Sequence, residues 1–209
     1  MYTVFLIGNI ASGKSTAARY LEMRGARRLD LDVLAKELYI PGSPLVQSIA
    51  DAFGWDVLDQ DGGVRPAVLG EQAFVSPEAT ARLNALVHPV LLEQLSHMLL
   101  PANCCSTVVP DFPLTVVEVS AAAAFTDAFG LADEVMAIAA PLDARRKRAL
   151  ERGMDGDDFD RRAEVQPSEQ ELYALASTVI DNTVADDTLF DALDAWIDER
   201  GLMMRSNHA

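Results

Sequence analysis

The sequence predicts an α/β fold, a five-stranded and mostly parallel sheet flanked by helices, and three observations carry that prediction. A β-rich apolar run, Thr3-Val4-Phe5-Leu6-Ile7, leads into Gly8-Asn9-Ile10-Ala11-Ser12-Gly13-Lys14-Ser15-Thr16, which has the G-x-x-x-x-G-K-[ST] spacing of a phosphate-cradling P-loop. Good helix formers follow as far as Met23, so the glycine-rich stretch stands between a strand and a helix N-terminus, where its mechanism needs it. Short β-rich runs then recur between helix-like segments, the pattern of a sheet whose strands are joined by helices.

The totals bound the problem. A chain of 209 residues, 50% hydrophobic, buries one sizeable core with room for a second small lobe. A net charge of −15 argues against general binding to nucleic acid, which draws on a basic surface, but leaves open a phosphorylated small molecule that meets only local charge. No apolar run is long enough to span a bilayer, so no membrane partner is expected. Met1-Tyr2-Thr3 lacks the positive region of a signal peptide. Cys104 and Cys105 are adjacent and poorly placed to bridge distant segments, which fits a reducing, cytoplasmic setting.

The first helix is expected over Lys14–Met23, with Gly25 as its left-handed stop. Arg28-Leu29-Asp30-Leu31 reads as strand two and delivers Asp30 and Asp32 on one side of an extended chain, at the end where open parallel sheets bind ligands. From 33 to 100 only helices are predicted. They cover Val33–Tyr39, Leu45–Phe53, Pro66–Phe74, Pro77–Leu86 and Val90–Leu100, with a break at His88-Pro89 and a turn at Asp59-Gln60-Asp61-Gly62-Gly63. Strand three is placed at Ser106–Val109, leading to Asp111. Strand four is placed at Glu134–Ala139 and strand five at Ser177–Ile180. The last helix, Thr188–Arg200, buries Leu189, Phe190, Leu193, Trp196 and Ile197 on one face, with Asp187 as its N-cap.

The chemistry follows from these placements. Backbone N–H groups of residues 8–16 and the positive end of the first helix suit phosphate oxygens. Lys14 reaches the β- and γ-phosphates, and the Ser15 hydroxyl ligates Mg²⁺. Asp32 is a candidate base for an attacking hydroxyl, or the N-cap of the next helix. Asp30 competes for the same role on spacing alone, and Asp111 is a third acid near the metal. His88, before a proline, reads as structural. The charge run Arg145-Arg146-Lys147-Arg148 with Arg152, Arg161 and Arg162 is either a solvated, ion-paired helix or a mobile cover whose arginines meet a transferring phosphoryl group. No His or Cys spacing suggests zinc.

In order along nearly the whole chain, these segments resemble the dephospho-CoA kinase family. The family's G-G-I-G-S-G-K-S is similar to Gly8–Ser15, and its D-x-D before an acidic-P-G-S/A-P turn to Asp30-Leu31-Asp32 followed by Ile40-Pro41-Gly42-Ser43-Pro44. Its D-G-x-x-x-R-x-x-L-G-x-x-x-F resembles Asp61 through Arg65 and Leu69-Gly70 to Phe74, and its L-x-H-P resembles Leu86-Val87-His88-Pro89. Arg148, Arg152, the Arg162-to-Gln166 spacing and Val179-Ile180-Asp181-Asn182 match its lid and final strand.

The resemblance implies a P-loop, nucleoside-kinase-like three-layer fold with a core of 1–32, 101–142 and 176–209. It adds a helical acceptor-binding insertion at 33–100 and a lid at 143–175. It implies transfer of the ATP γ-phosphoryl group to the 3′-hydroxyl of dephospho-CoA with Mg²⁺. Asp32 becomes the base and Arg148 and Arg152 the lid arginines. Arg65, His88 and Arg162 join Asp32 at the acceptor, in a monomer or weak oligomer. Asn9 and Ala11 stand where the family has glycines. Ile40 replaces its acid, Ala176-Ser177 stand for its A-D, and Pro113-Leu114-Thr115-Val116-Val117-Glu118 is one residue longer than its P-L-L-x-E. Two rival readings remain, another small-molecule or nucleotide kinase on the same fold, and an ATP-binding protein without turnover.

Overall fold

A computed structural model of the chain describes residues 2–99, 112–184 and 187–202. Its sheet has five strands, β1 (Tyr2–Ile7), β2 (Arg27–Asp30), β3 (Leu114–Glu118), β4 (Glu134–Ala139) and β5 (Thr178–Asp181). They lie in the order β2-β3-β1-β4-β5, and every pairing is parallel. Ile7, Asp30, Glu118, Ala139 and Asp181 therefore end on one rim, with Asp30 directly opposite Glu118. The central strands read as unbroken apolar runs because both faces are covered, and Val4 to Ile7 have no exposed surface.

Helix α1 (Lys14–Met23) and helix α9 (Thr188–Glu199) pack on one face of this sheet. Their Ala17, Ala18, Leu21, Leu193 and Trp196 join Val4, Leu6, Val116 and Ile138 in one core cluster. Arg24 closes α1 and Gly25 follows at φ 99°. Asp187 stands at the N-cap position of α9 but makes no side-chain capping bond, contrary to expectation. Its φ of −78° and ψ of −1° are helical, whereas a capping carboxylate needs an extended residue to reach back to the first-turn N–H groups.

Ser106–Val109, Asp111, Cys104 and Cys105 lie outside the described residues, and the third strand is Leu114–Glu118, buried at all five positions. Pro113 precedes it and marks its start, because a residue without an N–H fits the edge of a ladder but not its middle.

Three helices link β4 to β5, namely α6 (Leu142–Glu151), α7 (Gly156–Glu164) and α8 (Glu169–Ala174). Asp155 caps α7 by accepting from the backbones of Asp157 and Asp158, and Ser168 with Glu171 forms a capping box on α8. Phe159 of α7 is completely buried.

Backbone contacts divide the chain into two compact units, 1–30 with 102–209 and 31–101. The second unit is helical, comprising α2 (Leu31–Glu37), α3 (Pro44–Phe53), α4 (Pro66–Ala73) and α5 (Pro77–Leu99). Ser43 caps α3 ahead of Pro44, and the Asp59 carboxylate accepts from the backbones of Asp61 and Gly63 to fix the predicted turn. Pro89 does not end a helix as expected: α5 runs through it. Ala79, Leu83, Val87, Leu91, Leu95 and Leu99 form a buried stripe at every fourth residue on both sides of the proline, and that continuous packing outweighs one lost backbone hydrogen bond. Among the described residues no helix is long and apolar enough to cross a membrane.

Candidate active site

The P-loop is held by its neighbours as much as by its own turn. Gly13 takes φ 105°, and a Cβ there would lie 2.1 Å from Asn182 Nδ2. A Cβ on Gly8 would lie 2.4 Å from Ser12 Oγ. Both positions thus need glycine for space, and Gly13 for conformation too. Asn182, buried just after β5, donates to the Ser12 carbonyl at 2.6 Å. Asn9 donates to the Pro167 carbonyl at 3.0 Å, and the Ile10 N–H donates to Gln166 Oε1 at 2.9 Å. Ala11 is the one non-glycine with positive φ among the described residues, at 59°. Thr16 follows in the first turn of α1.

Lys14 and Ser15 open α1 and meet the end of β3. The Ser15 hydroxyl donates to Glu118 Oε1 at 2.5 Å, and Lys14 Nζ lies 2.9 Å from Ser120 Oγ and 3.9 Å from Glu118. Arg28 holds the other Glu118 oxygen at 2.6 Å and stands 3.6 Å from Asp30. Burial alone would lower the Arg28 pKa, but its bond to Glu118 reverses this and raises it above the ordinary value. Glu118 is 3% exposed. A hydroxyl and a buried carboxylate sharing a point beside a phosphate cradle are the hard oxygen donors that a small divalent cation takes. Among the described residues no group of three or more His, Cys, Asp or Glu forms a metal cage. The sequence signal for Glu118 is an acid closing the β-branched run Thr115-Val116-Val117.

The arginine run separates into distinct environments. Arg145 is buried, donates to the Ala140 carbonyl at 3.0 Å and pairs with Glu169 at 3.5 Å. Arg146 meets Asp160 at 3.0 Å, which ties α6 to α7. Arg148 Nη2 donates to the Asn182 carbonyl at 2.7 Å, and its buried Nη1 has no hydrogen-bond partner. Arg152 caps α6 at the surface and borders two clefts. One, of 260 Å³, is lined by Gly13, Thr16, Arg148, Asn182 and Phe190; the other, of 440 Å³, by Ile10, Ala11, Met154, Asp155 and Asp158. Arg162 pairs with Asp158 four residues back and Arg161 with Asp158 three back, the solvated-helix arrangement.

Three of the acceptor candidates, Asp32, Arg65 and His88, lie in the helical unit, and Arg162 lies on α7. Asp32 is exposed in the first turn of α2, which begins at Leu31, so it is not that helix's N-cap. Arg65 is the exposed N-cap residue of α4, its guanidinium 3.4 Å from the Asp56 carbonyl. His88 is half-buried within α5.

A parallel β2-β3-β1-β4-β5 sheet with a P-loop after β1 and an acid closing β3 defines a P-loop kinase, a transferase of phosphoryl groups. A family model for dephospho-CoA kinase matches residues 2–187. A dephospho-CoA kinase of Frankia casuarinae is 34% identical over 199 residues, covering 95% of this chain and 82% of that one. A Thermus thermophilus protein of known crystal structure superposes with a TM-score of 0.73 at 28% identity, over 95% of this chain and 97% of its own. Dephospho-CoA kinase from Campylobacter jejuni has the same fold, with a TM-score of 0.64 at 23% identity over 96% and 98% of the two chains. The chain belongs to the dephospho-CoA kinase family, whose members phosphorylate dephospho-CoA with ATP in coenzyme A synthesis.

Proposed function

We propose that the chain transfers the ATP γ-phosphoryl group to the ribose 3′-hydroxyl of dephospho-CoA, with Asp32 as general base and residues 8–16 as the phosphate cradle. The meeting of Ser15, Lys14 and Glu118 beside that cradle is the observation that carries the reading. Bound Mg²⁺ would neutralise charge on the β- and γ-phosphates, and Ser15 with Glu118 are the groups that would hold it. Lys14 faces the same phosphates. The 3′-hydroxyl oxygen bonds to the γ-phosphorus, its proton goes to the Asp32 carboxylate, and the bridging oxygen leaves with ADP. Arg148 and Arg152, from the segment 143–175 acting as a lid, meet charge on the transferring group or the adenine, and both line the 260 Å³ cleft beside Gly13 and Thr16. We assign acceptor binding to Asp32, Arg65, His88 and Arg162. We place the enzyme in the cytoplasm, as a monomer or weak oligomer, acting on small molecules rather than nucleic acid or membrane. Purified protein supplied with ATP, Mg²⁺ and dephospho-CoA yields CoA and ADP; a preference for another acceptor, or ATP binding without turnover, would overturn the assignment.

A further inference from the structure

Three contacts from the segment between β4 and β5 converge on two residues of the P-loop. The Ile10 N–H donates to Gln166 Oε1 at 2.9 Å, and the Ile10 carbonyl accepts from Arg145 Nη1 at 3.5 Å. Its neighbour Asn9, 7% exposed, donates its amide to the Pro167 carbonyl at 3.0 Å. Arg145 is itself fixed by the Ala140 carbonyl and by Glu169. Both polar groups of Ile10 are thus bound from outside the loop, directly before Ala11 at φ 59°. A left-handed alanine is unfavourable on its own and persists where its surroundings over-determine it. We infer that Asn9, Gln166 and Arg145 are positioning residues that couple the first half of the P-loop to the α7–α8 junction, so that order in one is order in the other.

The coupling has a sign that chemistry fixes. Phosphate bound by the loop orders Ile10 and Ala11, and through Gln166 and Pro167 it orders the junction that carries α7. Loosening the junction in turn frees Ile10 and weakens the loop's hold on phosphate, because coupling between two sites is reciprocal. The Asn9 and Gln166 contacts reach adjacent residues of one segment, so loss of either frees the other and their effects are not independent.

The inference adds to the kinase assignment and is tested without an acceptor or turnover. Amide hydrogen exchange is followed over residues 8–13 and 163–171 in nucleotide-free protein, and ATP affinity is measured by calorimetry, for wild type, N9G, Q166A, Q166E and N9G/Q166A. Q166A is expected to raise exchange in both segments and to weaken ATP about fivefold, the effect of one net hydrogen bond. Q166E, which keeps the accepting oxygen, retains the low exchange. The double variant falls short of the product of the single effects. Unchanged exchange at 8–13 in Q166A, or single effects that multiply fully, would overturn the coupling. Should N9G fail to fold, Q166A with its Q166E control decides alone. Failure to form CoA in the separate turnover assay would count against the kinase assignment and not against the coupling.

Discussion

The Ser15 hydroxyl donates to Glu118 across 2.5 Å, which ties the first turn of α1 to the last residue of β3. Arg28 occupies the second Glu118 oxygen, so the carboxylate presents one oriented edge toward the P-loop. Glu118→Gln should therefore keep its shape but lose charge where the cation is held. The expected result is a Mg²⁺ requirement raised by about 10–100-fold, with ATP concentration unable to compensate. Rate against Mg²⁺ at saturating substrates checks this; an unchanged Mg²⁺ curve would move the ligand role to another acid.

Asp32 is assigned the proton transfer and no part in holding ATP. Asp32→Asn is expected to reduce turnover by about 10²–10⁴-fold while ATP binding by calorimetry stays within twofold. Asp30→Asn is the control that separates the two acids of the D-x-D, since Asp30 sits by Arg28. If Asp30→Asn abolishes turnover and Asp32→Asn does not, the roles reverse.

Arg148 and Arg162 should behave differently despite their shared charge run. Arg148 binds the Asn182 carbonyl, and Asn182 in turn braces Ser12, so Arg148→Ala should disturb both the rate and the loop. A turnover loss of at least about tenfold is expected, with a modest fall in Tm. Among the described residues Arg162 pairs with Asp158 alone, in solvent, and Arg162→Ala should change stability by less than about 0.5 kcal/mol. As an acceptor residue it should nonetheless raise the KM for dephospho-CoA when removed, and an unchanged KM would return Arg162 to the solvated helix.

Ala11 allows a test of backbone strain. A β-branched side chain tolerates positive φ worse than alanine does, and glycine has no such cost. ATP affinity is expected to fall in the order Gly, Ala, Val at position 11, with Ala11→Val losing about 1–2 kcal/mol of binding or stability. Equal affinity for all three would show that the left-handed conformation is not what binds phosphate.

Acid stability should depend on Glu134, at the opposite rim. Burial alone would raise its carboxyl pKa, but bonds from Arg200, Thr178, Tyr2 and Trp196 outweigh that and lower it from 4.5 to about 2. The Tyr2 bond is 2.6 Å and the Trp196 bond 3.1 Å. The folded protein thus resists protonation that the unfolded chain accepts near 4.5. The stabilisation is present above that pH and is lost as pH falls from 4.5 through 2, about 2 kcal/mol after allowance for screening. Glu134→Gln should lower Tm at neutral pH and flatten its decline across that window; parallel Tm–pH curves would refute the assignment.

The P-loop, the flanking strand and the helical character of 33–100 were legible because each rests on local pattern: glycine spacing, β-branched runs and capping residues. The role of Glu118 is not legible in the sequence, because its partners Ser15 and Arg28 lie about a hundred residues away and meet it only once the sheet forms. The Pro89 break was overestimated because a proline is local while the stripe from Ala79 to Leu99 that overrides it is tertiary. Within the arginine run, sequence alone does not separate buried Arg145 from Arg162 in solvent, because the partners of Arg145 come from Ala140 just after β4, from α8 and from the P-loop. Asn9 registered only as a departure from a glycine, since its partner is 158 residues away.

Because all five strands run the same way, the ionisable groups of the sheet sort by end. Glu118, Asp30 and the P-loop occupy the carboxyl rim, while Glu134, Tyr2 and Arg200 occupy the amino rim. A strand of five or six residues puts roughly 15 Å of apolar ladder between the two. Charge changes at the amino rim therefore reach the phosphate chemistry only weakly. Substitutions there can adjust acid tolerance while the phosphate site is left alone.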